Sequence, residues 1–559
     1  MKLRPLLVLL AAFAVAAHAD DDADTITANL PAQELTPQIV YQVLLAEIAG
    51  ARGQMGLAAD AYGDLARSTR DPRIARRAAE AALIAGRYEQ ALTSARLWAE
   101  VDPSSAQAKQ MIGGLLAAMN RADDLSAYLS QQLAVAGPAL GPQLMQLNRA
   151  LARLSDKQAT QTLVDKVTEP YINLPEAHFA RAQAAHAAGK SDVARKEIDR
   201  ALELRPDWEY AALVRSELMP NGEEKTKALG EFVAANPKAN DARLAYARNL
   251  VTDHRFAEAR EQFRHLLADK PDGVDMVYAV AVLSVQLNDY DEAETQFKRL
   301  LDLGYSESNS ARLYLGQIAE ERKRWDEALK WYDQVSAGEQ YLSARMRMAH
   351  VLSAQGKPDE ARKCLQDTAA TSLAERSQLL IAEAQVLREA RRNEEAYGVL
   401  AEGLARHPDQ PELLYEAALA AEKIGKMDIV ERDLRRLIEI KPDHAHAYNA
   451  LGYSFADRNE RLDEAQQLID KALQLAPEDP FILDSKGWVL FRRGDANSAL
   501  DVLKKAFSLR ADPEIAGHIG EVLWALGRKD EARKTWNDAA KADPGNEALV
   551  ETIKKYSKP

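Results

Sequence analysis

One cysteine in 559 residues, Cys364, leaves no pair to close an internal disulfide, so packing alone must hold this chain together. Its place within a predicted helix makes a buried, inert thiol the expected state. Aromatic residues are scarce too, at 6%. Alanine and leucine carry the apolar volume instead, which leans toward helix. Basic charge is in deficit: the formal net charge of −13 argues against a nucleic-acid partner, whose phosphates require a basic face. Beyond the first twenty residues no segment approaches ~18 uninterrupted apolar residues, so none is expected to span a bilayer. The hydrophobic content of 47% is nevertheless ample for a folded core and speaks against wholesale disorder.

Motifs that carry chemistry are missing as well. The chain has no GxGxxG, Walker loop, HExxH, CxxC or GxSxG. His444 and His446 flank Ala445 without further clustered ligands, which is poor ground for a metal. Carboxylates stand among lysines and arginines on predicted helix faces, the pattern of a solvated surface. No catalytic residue, cofactor or metal is therefore expected.

The first residues, MKLRPLLVLLAAFAVAAHAD, have the layout of a signal peptide: Lys2 and Arg4, an apolar stretch from Leu6 to Ala17, and the small residues Ala17 and Ala19 before a cleavage point. This predicts export to the periplasm with processing after residue 19. No cysteine stands at that point for lipid attachment, which leaves outer-membrane association open.

What is present is a repeat. With Ala465 of LDEAQQLIDKALQLAPEDP as a phase marker, matching positions are Ala58, Ala91, Leu125, Ala159, Ala194, Lys225, Ala259, Ala293, Ala328, Ala361, Ala396, Val430, Ala465, Ala499 and Ala532, spaced by 31 to 35 residues. Twelve before the marker comes a small residue, as at Ala182, Gly316 and Gly520. Four after it comes a large one, as at Phe297, Tyr332 and Trp536. A proline often stands twelve after it, as at Pro103, Pro206 and Pro442. Small residues let two antiparallel helices approach, and large ones fill the remaining volume. Proline cannot continue the second helix and turns the residue before it out of helical geometry. Gly86, Gly189, Gly356, Gly425 and Gly527 fall where a left-handed cap must join the two helices. This is the tetratricopeptide-repeat pattern. It predicts an all-α, superhelical solenoid of about fifteen helical hairpins, each too small to fold unaided and stabilised by its neighbours.

The expected organisation is a signal peptide at 1–19, a flexible acidic lead at 20–34, N-terminal repeats at 35–220, C-terminal repeats at 221–551 and a frayed tail at 552–559. Two joints look irregular: residues 132–143, with Gly137, Pro138, Gly141 and Pro142, and the turn-forming string Met219-Pro220-Asn221-Gly222.

A solenoid of this kind offers a concave wall formed by the first helix of each hairpin, suited to protein partners. In the last repeats the lining positions are His446, Asn449, Tyr453, Asp484, Trp488, Phe491 and Trp524. They serve either as binding anchors or as packing between repeats. In the first helix Tyr41, Leu44, Leu45 and Ile48 make an apolar stripe that suits a hairpin interface or a docked partner, Tyr41 and Leu45 being the partner-binding candidates. Trp325 and Trp536 occupy framework positions and are expected in the core.

Two blocks carry a more specific resemblance: Leu35 to Pro103, beginning LTPQIVYQVLLAEIAGARGQMGLAADAYGDLARSTRDP, and His446 to Asp495, beginning HAYNALGYSFADRNERLDEAQQ. They resemble the outer-membrane tetratricopeptide lipoprotein that partners a bacterial carboxyl-terminal processing protease. The resemblance implies a periplasmic, non-catalytic adaptor that binds such a protease and presents substrates such as cell-wall hydrolases to it. The missing lipidation cysteine departs from that family. The competing expectation is a scaffold for envelope assembly, in polysaccharide export or outer-membrane protein assembly.

Overall fold

The computed structural model describes residues 30–557 apart from 153 and 221. The signal peptide expected at 1–19 and most of the expected acidic lead lie outside the described residues. Every regular element described is a helix, and these pair as antiparallel hairpins in chain order. Two compact units result, one ending at Pro271 and the other beginning at Asp272. The first contains seven hairpins, from Pro37–Ala51 with Met55–Thr69 to Asn240–Thr252 with Phe256–Asp269. The second contains eight, from Val274–Gln286 with Tyr290–Asp302 to Pro513–Ala525 with Lys529–Ala542, and a closing helix, Glu547–Ser557. The division thus falls within the segment that the sequence assigned to its C-terminal repeats. None of the described helices is long and apolar enough to cross a membrane.

Each position of the repeat has its structural reason. Thirteen of the fifteen marker residues are buried in the contact between the two helices of a hairpin. The small residue of the first helix faces the large residue of the second. A Cβ added at Gly316 would overlap the ring of Tyr332, and one at Gly520 would overlap Trp536. The fit is therefore small against large as well as small against small, which fills the gap between helices without a void. Before Pro103, Pro206 and Pro442 the backbone leaves helical geometry (φ −133°, −139° and −126°), ending the second helix. The joint between helices takes a left-handed residue, Gly356 at φ 75° for example. In other repeats Asn120, Asn288 or Lys323 adopts the same conformation at φ 55–56°.

Two markers are displaced by one residue. Ala159 is exposed and Lys225 half-buried, while their neighbours Thr160 and Thr226 are buried. Both threonines satisfy their hydroxyls locally. Thr160 Oγ1 donates to the Asp156 carbonyl at 2.7 Å, and Thr226 Oγ1 to Asp253 Oδ2 at 2.6 Å. A hydroxyl so partnered can occupy a slot otherwise given to alanine.

The irregular joints are short interruptions. Gly137–Ala139 form a 3₁₀ turn before the helix Leu140–Leu151. The helix Glu209–Leu218 has only ten residues, because Met219 is extended (ψ 149°) ahead of Pro220. The tail expected to fray is helical to Ser557. Leu549 is buried there, and the Tyr556 ring lies 5.4 Å from Trp524 and 5.3 Å from Trp536. The periodicity had ended, so nothing in the pattern announced this capping helix. Cys364 is buried, and burial pushes its thiol up from the ordinary range.

Candidate protein-binding surfaces

The residues foreseen as lining divide between packing and display. In the second unit, Asp484 and Trp488 come from the helix Pro480–Arg492, and Tyr453 from Ala445–Asp457. They meet His518 of Pro513–Ala525, which sequence reasoning missed. His518 Nδ1 lies 2.9 Å from both carboxylate oxygens of Asp484, and since a carboxylate only accepts, Nδ1 carries the proton. The imidazole stacks on Trp488 at 4.3 Å, and its Nε2 is 3.5 Å from the Tyr453 hydroxyl. Burial alone would lower the His518 pKa, but the adjoining Asp484 carboxylate, together with Glu521 and Glu514, raises the value. Burial raises the Tyr453 pKa, and the carboxylates of Asp457, Asp484 and Glu514 add to this. Trp488 is only 3% exposed and Asp484 only 7%. Three successive first helices are thereby tied side to side. These residues work as inter-repeat packing rather than as open anchors.

Phe491 is half-buried with its ring 5.4 Å from Trp488, and the Arg492 guanidinium sits 4.7 Å over the same indole. Asn449 is half-buried too. Its side-chain oxygen has no partner among the described residues, and neither does the Trp488 indole nitrogen. His446 is exposed, 3.8 Å from Asp479. His444 caps its helix by accepting from the Ala447 amide, and among the described residues no group of side chains could hold a metal ion. Trp524 packs between Trp536 and Tyr556 while Lys529 and Arg533 cover its ring at 5.0 and 5.3 Å. His518 stands one repeat, 34 residues, after Asp484. That equal register was the signal that could have revealed it.

The first helix behaves differently. Leu45 turns inward onto the alanine-rich core beside Ala46 and Ala49, whereas Tyr41, Leu44 and Ile48 point to solvent at 62%, 54% and 50% exposure. The stripe read as one face is two: Leu45 and Ala49, four apart, pack inward, while Tyr41, Leu44 and Ile48, spaced by three and four, lie outside. Val40 and Leu35 are also exposed. Each unit further carries a groove along its row of first helices. In the first unit one of about 570 Å³ crosses Leu140–Leu151, Pro175–Ala187 and Glu209–Leu218. In the second, one of about 430 Å³ crosses Tyr341–Ala354 and Leu373–Glu389 and reaches Glu416.

Paired helices of fixed period with side-by-side first helices define a helical repeat protein. The tetratricopeptide-repeat model matches at 247–303, 278–341, 346–411, 415–480 and 485–547. The "TPR repeat-containing protein PA4667" of Pseudomonas aeruginosa is 33% identical over 485 residues, covering 86% of this chain and 82% of that protein. The chain belongs to the tetratricopeptide-repeat family. A human protein, "Protein O-mannosyl-transferase TMTC1", is 26% identical over 175 residues, 30% of this chain but only 19% of that protein. Among solved structures, a tetratricopeptide repeat protein from Parabacteroides merdae aligns with 50% of this chain and 97% of its own, at 16% identity and a TM-score of 0.34.

Proposed function

We propose that this chain is a non-catalytic, protein-binding scaffold of the bacterial periplasm, an adaptor that brings substrates such as cell-wall hydrolases to a C-terminal processing protease. The observation that carries the reading is the solvent-facing apolar row Tyr41, Leu44 and Ile48 on the first helix. Its inward face is already used by the core, so the outer row is free for a partner. The blocks Leu35 to Pro103 and His446 to Asp495 support the protease as that partner through their resemblance to the lipoprotein adaptor. The physical mechanism is proximity: two proteins held on one chain meet at a raised effective concentration.

The test is a pull-down from bacterial periplasmic extract with the chain processed after residue 19. Recovery of a C-terminal processing protease, lost on Tyr41→Asp with Leu44→Asp, is the expected result. Recovery of a β-barrel assembly component or a polysaccharide synthase in its place would move the function to envelope assembly.

A further inference from the structure

A buried histidine at one joint of the first unit makes contacts that a neutral ring cannot satisfy. His178, on the helix Pro175–Ala187, places Nδ1 2.6 Å from Glu197 Oε2 and Nε2 2.8 Å from the Ile172 carbonyl oxygen. A carboxylate and a carbonyl only accept, so both ring nitrogens must donate. A neutral imidazole has one N–H and would set lone pair against lone pair at one of the two contacts. The geometry therefore requires an imidazolium, with its counter-charge on the helix Ser191–Leu204.

The repeat gives this slot to a cation elsewhere. His178 stands sixteen residues before its marker, Ala194, and Arg243, Arg312 and Arg345 stand sixteen before Ala259, Ala328 and Ala361. Arg243 makes the same pair of contacts in the same register. Its Nη2 donates to the carbonyl of Pro237, six residues back, at 2.8 Å, and its Nη1 to Gln262 Oε1, nineteen ahead, at 2.7 Å. Ile172 and Glu197 lie six back and nineteen ahead of His178. Arginine keeps its charge at any pH a protein meets. At His178 the same tie depends on a proton that can leave.

The tie holds the joint between Lys157–Thr168 and Pro175–Ala187, a 3₁₀ turn at Glu169–Tyr171 followed by Ile172, Asn173 and Leu174. One turn along the same helix, Arg181 pins the near end of the joint. Its Nε donates to Thr168 Oγ1 at 2.7 Å, and its Nη2 to the Asp165 carbonyl at 2.9 Å and to Glu169 Oε2 at 2.6 Å. The charged groups around the ring come from each packed element. Ser191–Leu204 and its joint bring Glu197 and Lys190, the preceding helix and turn bring Asp165 and Glu169, and its own helix brings Arg181 and Glu176, the last paired with Arg205. Leu140–Leu151 has one charged residue, Arg149, which lies in the groove lining. Burial raises the Asp165 carboxyl above its usual range, which makes it the second group whose titration must be separated.

We propose that His178 is a proton-operated latch on this joint: as an imidazolium it ties Ile172 to Glu197, and on losing its proton it releases one of them and the joint opens. The latch is closed at low pH and opens as pH rises past the range in which imidazole titrates, ordinarily about 6.5. Arg181 keeps hold of Glu169 throughout, so the opening is confined to residues 172–174 and the start of the next helix. The device is independent of which partner the chain holds.

The test is hydrogen exchange read by mass spectrometry on the full chain processed after residue 19, at about pH 5.5 and about pH 9, with rates corrected for the intrinsic pH dependence of amide exchange. The amides read are those of Leu174, which donates to the Tyr171 carbonyl at 2.9 Å, and Ala177, which donates to the Leu174 carbonyl at 3.2 Å. Their protection should fall about ten-fold or more at the higher pH. The Ala239 amide at the Arg243 joint, donating to the Asn236 carbonyl at 3.0 Å, should keep its protection. Three variants separate the causes. His178→Gln, which lacks the cation, should be open at both pH values. His178→Arg, the residue used in the other repeats, should be closed at both. Glu197→Gln should also be closed at both, because its amide can donate to Nδ1 of the neutral ring while the Nε2 proton keeps Ile172. Glu197→Gln is isosteric at a partly exposed side chain, so it reads the latch even where a change at the buried ring unfolds the chain. All three leave Asp165 in place, so a pH dependence that survives in them belongs to Asp165 and overturns the proposal. Equal protection of the unaltered chain at both pH values, or greater protection at the higher, overturns it as well.

Discussion

The two units obey one period and fill it differently. The first is packed largely with alanine: its cluster includes Ala75, Ala78, Ala79 and Ala82, all fully buried, with leucines between. The second spreads its alanines more thinly among rings, with Phe297, Tyr332, Phe455, Trp488 and Trp536 buried, where the first has Tyr62, Trp98, Phe179 and Phe263. It adds a charged link between repeats at Asp484 and His518. A solenoid needs small residues where helices cross and sufficient apolar volume between them, but which side chains supply the volume is free. In the later repeats Asp484, His518 and Trp488 contact one another, while the Asn449 oxygen and the Trp488 indole nitrogen keep no partner among the described residues. The first repeats leave the apolar row Tyr41, Leu44 and Ile48 facing outward.

Six substitutions break or sharpen this contrast, in order of expected effect. Asp484→Ala strips the counter-charge from a buried imidazole and should cost the second unit about 3 kcal/mol. Tryptophan fluorescence during urea unfolding reads it, since five of the seven tryptophans lie there. The same pair gives a pH dependence. The folded pKa of His518 is raised, so its contribution is complete below its unfolded value of about 6.5 and fades as pH rises through the folded value. Melts of the unaltered chain and His518→Gln should therefore converge toward alkaline pH, and parallel melts would refute the pairing.

Next, Gly316→Ala should cost about 2 kcal/mol, because the new methyl meets the buried ring of Tyr332. Gly113→Ala, in the alanine-filled unit, meets nothing within 4 Å and should stabilise its helix by about 0.5–1 kcal/mol. Equal effects at the two glycines would erase the packing contrast. Smaller still, Lys323→Gly relieves a left-handed residue and should raise stability by roughly 1 kcal/mol or less, read from the urea midpoint. Smallest is Tyr41→Ser, within about 0.5 kcal/mol in thermal unfolding, since the ring is exposed; its consequence is for partner recovery instead.

Much of the architecture was legible because a period is a statistical signal repeated many times. The crossing alanines, the prolines closing second helices and the glycine joints each followed from one physical need, and the helices, hairpins and turns stand where the pattern put them. Two threonines escaped it. The search was for small apolar residues, and the partner of each hydroxyl becomes visible only in space. The closing helix escaped because it begins after the last repeat and is held by Trp524 and Trp536 of the preceding hairpin through ring contacts with Tyr556. Of the candidate surface residues, type alone could not separate anchor from packing. Trp488 and Asp484 had the composition of a binding site, yet His518, one repeat on, already occupies them. Tyr41 had the composition of an interface and is open.

The sequence by itself determined the helical hairpin, its length, its joints and the number of times it recurs, since these depend on local backbone preference and on spacing along the chain. Only the tertiary structure decided which polar and aromatic side chains are satisfied by a neighbouring repeat and which remain available. That depends on residues a full period apart being brought within hydrogen-bonding distance, and on the steep difference in free energy between a buried charge that has found its partner and one that has not.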